Sequence, residues 1–397
     1  MMTPHTEAEA AVLVNVAARS KLTLEIVGGA SKRGLGGIVQ ADDILSSSAL
    51  SGIVAYNPAE MVMTARSGTP LSEILEALAE QNQMLAFEPP DLSGLYGSDG
   101  AATIGGLFAT NLSGPRRFQV GAARDHLLGV RFINGLGEIV SAGGRVMKNV
   151  TGLDIVKLMA GSFGTLGFIT ELTFKVLPKP ETSATLVLSG LDDAAASVAM
   201  ARALAMSVEI SGAAYLPDSC KYRFLDNGLP EGAATALRLE GLSFSVDERI
   251  GRLKAAFGDL PLAVLDHAQG AALWHEIRDV KPFHADGRNR PVWKVSIPPS
   301  AGHQLLSVLR LNTGVDGYYD WQGGLLWLRM EAGAEADMLR GGIRHFGGGH
   351  ATLMRATDDE RRAIPVFEPQ APIVAALSAR IRKKFDPAGM FNPGKIG

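Results

Sequence analysis

Gly97–Val176 reads GSDGAATIGGLFATNLSGPRRFQVGAARDHLLGVRFINGLGEIVSAGGRVMKNVTGLDIVKLMAGSFGTLGFITELTFKV. Its punctuation is too regular for an ordinary loop-rich domain: Gly105-Gly106, Ser113-Gly114, Gly121, Gly164 and Gly167 recur beside short strand-like runs. Glycine lets main-chain N–H groups approach a ligand with no Cβ in the way, and it permits the positive-φ turns that aim them. Such a segment suits a large, flat, phosphate-bearing ligand. It closes in a strand, because Phe168, Thr170, Leu172, Phe174 and Val176 alternate with Ile169, Glu171, Thr173 and Lys175.

Upstream, Leu22 to Val27 has strand alternation and runs into Gly28-Gly29-Ala30-Ser31-Lys32. Consecutive N–H groups and a hydroxyl in a tight loop form a nest for a diphosphate, although a plain strand-to-turn junction has the same look. The loop is neither a Walker loop, since no Gly-Lys-Ser/Thr follows, nor a GxGxxG that opens a helix. Ala8 to Arg19 reads as a short helix. A second helix follows Thr69-Pro70, with Leu71, Ile74, Leu75, Leu78 and Ala79 on one face. Pro178-Lys179-Pro180 marks a boundary, and from Ser183 short strands alternate with alanine-rich helices such as Asp192 to Ala205, the texture of an α+β unit. Gly347-Gly348-Gly349 closes it. A last helix, with Ile373, Val374, Leu377, Ile381 and Phe385 at helical spacing, stops at Asp386-Pro387.

The 397 residues can bury a large core and divide into two domains. Hydrophobic residues at 46% and charged residues at 20% are ordinary for a globular protein, and a net charge of −3 offers no field for nucleic acid. The basic cluster Arg380, Arg382, Lys383 and Lys384 reads as the solvated C-terminal turns of a helix, where cations complement the dipole. Cys220 is the single cysteine, so this chain alone holds neither a disulfide nor an iron–sulfur cluster. The start lacks a basic region followed by a long apolar stretch, and no run approaches a membrane span, so a cytoplasmic protein is expected.

Three segments taken in order carry a family resemblance: the Gly28 loop; Ala101-Ala102-Thr103-Ile104-Gly105-Gly106 through Asn111 and Ser113-Gly114-Pro115-Arg116-Arg117; and Lys148-Asn149-Val150-Thr151-Gly152 through Gly161-Ser162-Phe163-Gly164-Thr165-Leu166-Gly167 to Glu171. With the closing Phe391-Asn392-Pro393-Gly394-Lys395, the chain resembles the flavin-binding superfamily of vanillyl-alcohol oxidase and para-cresol methylhydroxylase (PCMH-type). Leu85 to Pro90, Tyr319-Asp320-Trp321 and Gly348 to Leu353 make it similar to the FAD-binding subunits of glycolate oxidases. The resemblance implies an α+β fold: an FAD-binding domain of two α/β subdomains over residues 1–178, a smaller α+β cap over 179–345, and a C-terminal segment, 346–397, whose helix returns to the FAD domain.

It also implies roles. Gly28, Gly29, Ala30, Ser31 and Lys32 would wrap the FAD pyrophosphate with Thr103, Gly105 and Gly106. Asn111, Ser113, Gly114 and Arg117 would lie along the flavin and its phosphates, and Gly164, Gly167 and Ile169 would hold adenine and ribose. Each has a bland alternative as a turn glycine or a surface cation. Relatives that tether FAD place a histidine in the first loop, where this chain has Ala30-Ser31, so non-covalent FAD is expected. Metal-using relatives carry paired histidines and a Glu-His-Gly loop. Here Asp320-Trp321-Gln322 and Gly349-His350-Ala351 stand in those places, and no metal is expected. His350 is a weak catalytic candidate; His345 and His350 together could be a residual ligand pair, and the cheaper reading is a loop histidine plus a packed one. Arg329 and Arg355 are candidates for a carboxylate clamp, and equally for salt-bridge or interface residues. The implied activity is glycolate oxidation within a complex that contains a catalytic FAD sister subunit and an iron–sulfur subunit. The alternatives are a self-sufficient 2-hydroxy-acid dehydrogenase and a cofactor-free scaffold.

Overall fold

A computed structural model describes residues 1–144, 153–285, 287 and 289–396; the 148–152 part of the third motif lies outside the described residues. The chain opens with α1 (Glu7–Ser20), whose cap residue Thr6 accepts a hydrogen bond from the Glu9 N–H and whose buried face is Ala10, Val14 and Ala17. Strand β1 (Leu24–Val27) pairs in parallel with β2 (Asp43–Ser46). Single bridges extend this small sheet on both sides, Met2 against Leu45 and Phe391 against Leu24, so both ends of the chain are tied to it.

A five-stranded sheet among the described residues follows. It is built from β3 (Ile53–Asn57), β4 (Val62–Arg66), β5 (Leu127–Ile133), β6 (Ile139–Gly143) and β7 (Phe168–Lys175) in the order β3-β4-β7-β5-β6. All its pairings are antiparallel. The two subdomains therefore differ: the short turns after β3 and β5 make hairpins, which only antiparallel neighbours allow. The helices α2 (Leu71–Glu80), α3 (Ile104–Thr110) and α4 (Ile155–Met159) cover one face, with Ile74, Leu78, Leu107, Phe108 and Met159 packed on Met63, Val130, Leu172 and Phe174.

The next sheet, eight-stranded among the described residues, forms the cap. Its strands are β8 (Thr182–Ser189), β9 (Gly212–Leu216), β10 (Ala234–Gly241), β11 (Leu262–Leu265), β12 (Val292–Ser296), β13 (Val315–Asp320), β14 (Leu325–Met330) and β15 (His350–Arg355), in the order β11-β8-β10-β9-β13-β14-β12-β15. Its helices are α5 (Asp193–Ala205), α6 (Ser243–Ala256), α7 (His267–Arg278), α8 (Gly302–Asn312) and α9 (Ala336–His345). All but α7 pack on one face. The other face meets α7 and Leu35, Leu92, Leu95 and Leu112 of the first half.

One boundary is corrected. Gly347, Gly348 and Gly349 all have positive φ and turn the chain back, so His350–Arg355 pairs with β12 as the edge of the cap sheet rather than leaving for the C-terminal segment. The return helix α10 (Pro372–Phe385) follows. It docks by its end, where Ile381 and Phe385 join the core under β5 and Phe385 lies 5.9 Å from Phe132.

The two halves are locked by a charge cluster. The Glu88 carboxylate accepts from Arg238 Nη1 at 2.7 Å, Arg238 Nη2 at 3.0 Å and the Arg116 N–H at 2.8 Å, while Arg116 and Arg238 also pair with Glu240. Burial would raise both carboxyls, yet the arginines hold Glu88 below the usual carboxylate range and Glu240 down at about 2. Removing one partner of such a buried set strands the other charge. Glu88→Gln is therefore expected to destabilise the protein by about 3 kcal/mol, read as a lowered midpoint in urea or thermal melts.

Candidate cofactor-binding site

A cleft of about 840 Å³, counted to its open mouth, lies between the small parallel sheet and the five-stranded sheet. Its first wall is the loop after β1, Gly28 to Lys32. Ala30 adopts φ +59°, which turns successive amides toward the cleft. The loop can do this only because it lies against the second glycine segment. A Cβ on Gly29 would sit 1.7 Å from the Ala101 carbonyl oxygen, so glycine is required for the approach. The second wall is the start of α3, where Thr103 caps the helix by accepting from the Gly106 N–H. The third wall is Phe163, Gly164, Gly167, Phe168 and Ile169, with Gly164 at φ +71°.

Eleven of the fifteen residues expected at the cofactor line this cleft: Gly28, Gly29, Ala30, Ser31, Lys32, Thr103, Gly105, Gly106, Gly164, Gly167 and Ile169. The other four do not. The Asn111 Oδ1 accepts from the Arg124 N–H, and the Ser113 Oγ accepts from the Ala123 N–H. The Gly114 carbonyl accepts from Trp321 Nε1 at 3.0 Å, and the Arg117 guanidinium lies 4.5 Å over the Trp321 ring. These four brace an arm that joins α3 to the cap.

Several lining residues were not singled out from the sequence. Asn392 Oδ1 accepts from the Ile26 N–H at 2.7 Å while Nδ2 donates to the Phe163 carbonyl at 2.7 Å, so one side chain ties two walls together. Lys395 reaches across to the Arg33 carbonyl, and burial beside Arg361 and Arg33 pushes its ammonium down to about 8. Burial also lowers Lys32 against the pull of Asp91. Ser67 Oγ, buried in the lining, has no hydrogen-bond partner among the described residues. The closing Asn-Pro-Gly-Lys motif was the available signal for Asn392 and Lys395. Ser67 gave none, being an ordinary serine after a strand.

On the cap, His350 is exposed at the start of β15, on the same sheet face as Lys294 of β12. The clamp expected of Arg329 and Arg355 is corrected. Arg355 Nη1 donates to the Leu95 and Phe283 carbonyls, and Arg329 lies over the Phe283 ring near Asp316 and Glu331. Their guanidiniums stitch main chain and carboxylates in place. A different pair of cations meets at the Trp321 ring: Lys294 Nζ lies 5.2 Å from its centroid and the Arg117 guanidinium 4.5 Å. Burial and Arg117 push Lys294 down to about 8, with Asp320 opposing. Asp320, 2% exposed, is pushed up to about 7 by burial, against the Trp321 N–H it accepts. Among the described residues no group of three or more His, Cys, Asp or Glu could hold a metal.

Against known proteins, a family profile described as "FAD binding domain" matches residues 1–143. The Glycolate oxidase subunit GlcE of Escherichia coli (strain K12) is 34% identical over 391 residues, 96% of this chain and 95% of that protein. The chain belongs to this family of PCMH-type FAD-binding oxidoreductases. Glycolate oxidase subunit GlcD of Bacillus subtilis (strain 168) is 32% identical over 38% of this chain and 31% of its own length. The fold is shared with p-cresol methylhydroxylase with substrate bound, at TM-score 0.69 and 14% identity, covering 99% of this chain and 87% of that one.

The cofactor of this FAD-binding family member is FAD, and the cleft fits it. Aimed amides and two half-buried ammonium groups suit a pyrophosphate, and Ser67 supplies an unspent hydroxyl. Among the described residues the lining contains no histidine, cysteine or tyrosine, side chains able to tether a flavin. Lys395→Met is expected to weaken FAD binding roughly 10- to 100-fold, measured by quenching of flavin fluorescence. Asp320→Asn tests the cap. The folded carboxyl titrates near 7 rather than at its ordinary 3.8, so its stabilising contribution is full below pH 4 and is lost as pH rises toward 7. The thermal midpoint of the variant should pull ahead of the wild type across that interval, by on the order of 5 °C, and then hold level.

Proposed function

We propose that this chain is the FAD-carrying subunit of a multi-subunit glycolate dehydrogenase. A sister flavoprotein subunit oxidises glycolate to glyoxylate, and an iron–sulfur subunit takes the electrons. The observation that carries this reading is a contrast within the chain. The cradle for the dinucleotide is lined by glycines and by Lys32 and Lys395, whereas the cap holds Asp320, Trp321 and Gln322 where the resemblance implies paired histidines, with Arg117 and Lys294 both close to the Trp321 ring.

Bound in the cradle, FAD supplies a two-electron acceptor. Gly28 to Lys32 and Lys395 hold its phosphates, Asn392 keeps the walls in register, and the arm from Asn111 to Arg117 aligns the far end of the cleft with the cap. Trp321 excludes water there. The sole cysteine, Cys220, is buried with its thiol pushed well up, so no cluster or thiol relay is built into the chain. Electrons then leave through another subunit. A cytoplasmic location, with attachment to the inner membrane only through partners, belongs to the same reading. No helix of the described residues is long and apolar enough to cross a membrane.

One observation favours a second reading, a self-sufficient dehydrogenase. Neither Arg117 nor Lys294 has a carboxylate at ion-pair distance among the described residues, so the two could receive the carboxylate of a 2-hydroxy acid directly. The test is to purify the tagged chain from its host, identify its companions and bound flavin, and compare glycolate-dependent dye reduction by the assembly and by the isolated chain. The primary reading expects an active assembly and a yellow but inert isolated chain. Anaerobic bleaching of the isolated chain by glycolate would establish the second. A chain that stays colourless with excess FAD would remove both.

A further inference from the structure

The helix α10 carries an apolar stripe that its own chain covers only in part. Ile373, Leu377, Ile381 and Phe385 stand four apart, hence on one face. Ile381 and Phe385 dock on the core under β5, but Ile373 is 86% exposed, Leu377 53% and the adjacent Val374 50%. No residue of the helix is fully buried. Beside it runs a trench of about 1630 Å³, counted to its mouth, lined by Leu136, Leu158 and Leu377, with Arg380, Lys383 and Lys384 toward one end. Single exposed leucines are unremarked on any surface, but a continuous stripe running off the edge of the body beside an open apolar trench marks a contact surface.

We propose that α10 and this trench dock a partner subunit through an apolar ridge with carboxylates at one end. The proposal rests on the reading of the chain as a complex subunit. Charge complementarity argues for that occupant. Arg380, Lys383 and Lys384 make no ion pair among the described residues, and Asp154, the one acid in the lining, is engaged in capping the Lys157 N–H. A second copy of this chain would present this same face, whose one acid among the described lining residues, Asp154, is already engaged, so it brings no carboxylates to the basic cluster. An anionic membrane is disfavoured by shape. The site is concave, and its cations gather at one end of the helix instead of flanking the apolar stripe along its length, as an interfacial helix requires.

The test uses the full chain, tagged and purified from its host with its companions identified by mass spectrometry. In the wild type, a zero-length carbodiimide is expected to link Lys383 or Lys384 to an Asp or Glu of a companion flavoprotein or iron–sulfur subunit. The double variant Ile373→Glu/Leu377→Glu should retain at least tenfold less of that subunit, and Lys383→Glu/Lys384→Glu should lose it at lower salt than the wild type. Flavin per chain and thermal midpoint should be unchanged in both, since the substituted side chains are on the surface. Retention at the wild-type level in both variants would overturn the docking face while leaving the complex intact. Cross-links only between copies of this chain would overturn it in favour of self-association. Co-sedimentation with phosphatidylglycerol vesicles that these variants abolish, with the subunits still retained, would assign the face to lipid. A wild-type chain with no companions would remove the complex and the docking face together.

Discussion

The structure depends on two loops pressed back to back. Gly28 and Gly29 lie so close to Ala101 and Thr103 that a single methyl group at either glycine would overlap an oxygen atom. That contact fixes how the end of β1 meets the start of α3, and hence how two sets of amides, some 70 residues apart in sequence, come to face one cleft. Everything else in the first half supports this arrangement. The five-stranded sheet gives α3 a rigid floor, and the Asn392 amide pins the β1 wall to the Phe163 wall. The glycines contribute no attraction of their own; they permit an approach that the surrounding core then stabilises.

The cap is attached by different physics. Glu88 and Arg116 from the first half and Arg238 and Glu240 from the cap form an alternating square of buried charges, directional and intolerant of partial loss. Close by, Trp321 is fixed by its hydrogen bond to the Gly114 carbonyl and by cations on its ring. Fold membership and cofactor thus reside in the first half. The cap presents a different chemistry: the Trp321 indole beside the Asp320 carboxyl, whose titration burial pushes up to about 7.

How far this was readable from the sequence follows from which residues act locally. The loop Gly28 to Lys32, the pair Gly105-Gly106 and the turn glycines Gly164 and Gly167 announce themselves because a backbone that must approach closely excludes every other residue. Strand alternation gave β7, and the apolar spacing from Leu71 to Leu78 gave α2, although Thr69 does not cap it: its hydroxyl bonds the Arg66 and Gly52 carbonyls instead. Asn111, Ser113, Gly114 and Arg117 belong to the same glycine-rich block, yet their polar groups are spent on the arm and its contact with the cap, a matter of tertiary direction that spacing does not encode. For Arg329 and Arg355 the sequence left a clamp and a salt-bridge or interface role equal, because the main-chain carbonyls that Arg355 meets and the carboxylates near Arg329 are brought there only by the fold. Lys294 and Ser67 were invisible for the converse reason: ordinary residues on ordinary strands become special only through what burial leaves around them.

The small parallel sheet has a consequence for the order of events in the cell. Its edge partner on one side is Met2 and on the other Phe391, nearly 400 positions downstream. The Leu24 and Ile26 main chain waits for Met390 and Asn392, across some 366 positions. Synthesis proceeds from the N-terminus at a handful of residues per second, so for on the order of half a minute the nascent chain has all three walls of the groove but lacks the Asn392 side chain that ties two of them together. The glycine loops are made early and the amide that binds β1 to the Phe163 wall is made late, so the cleft acquires its final shape only once Asn392 has docked.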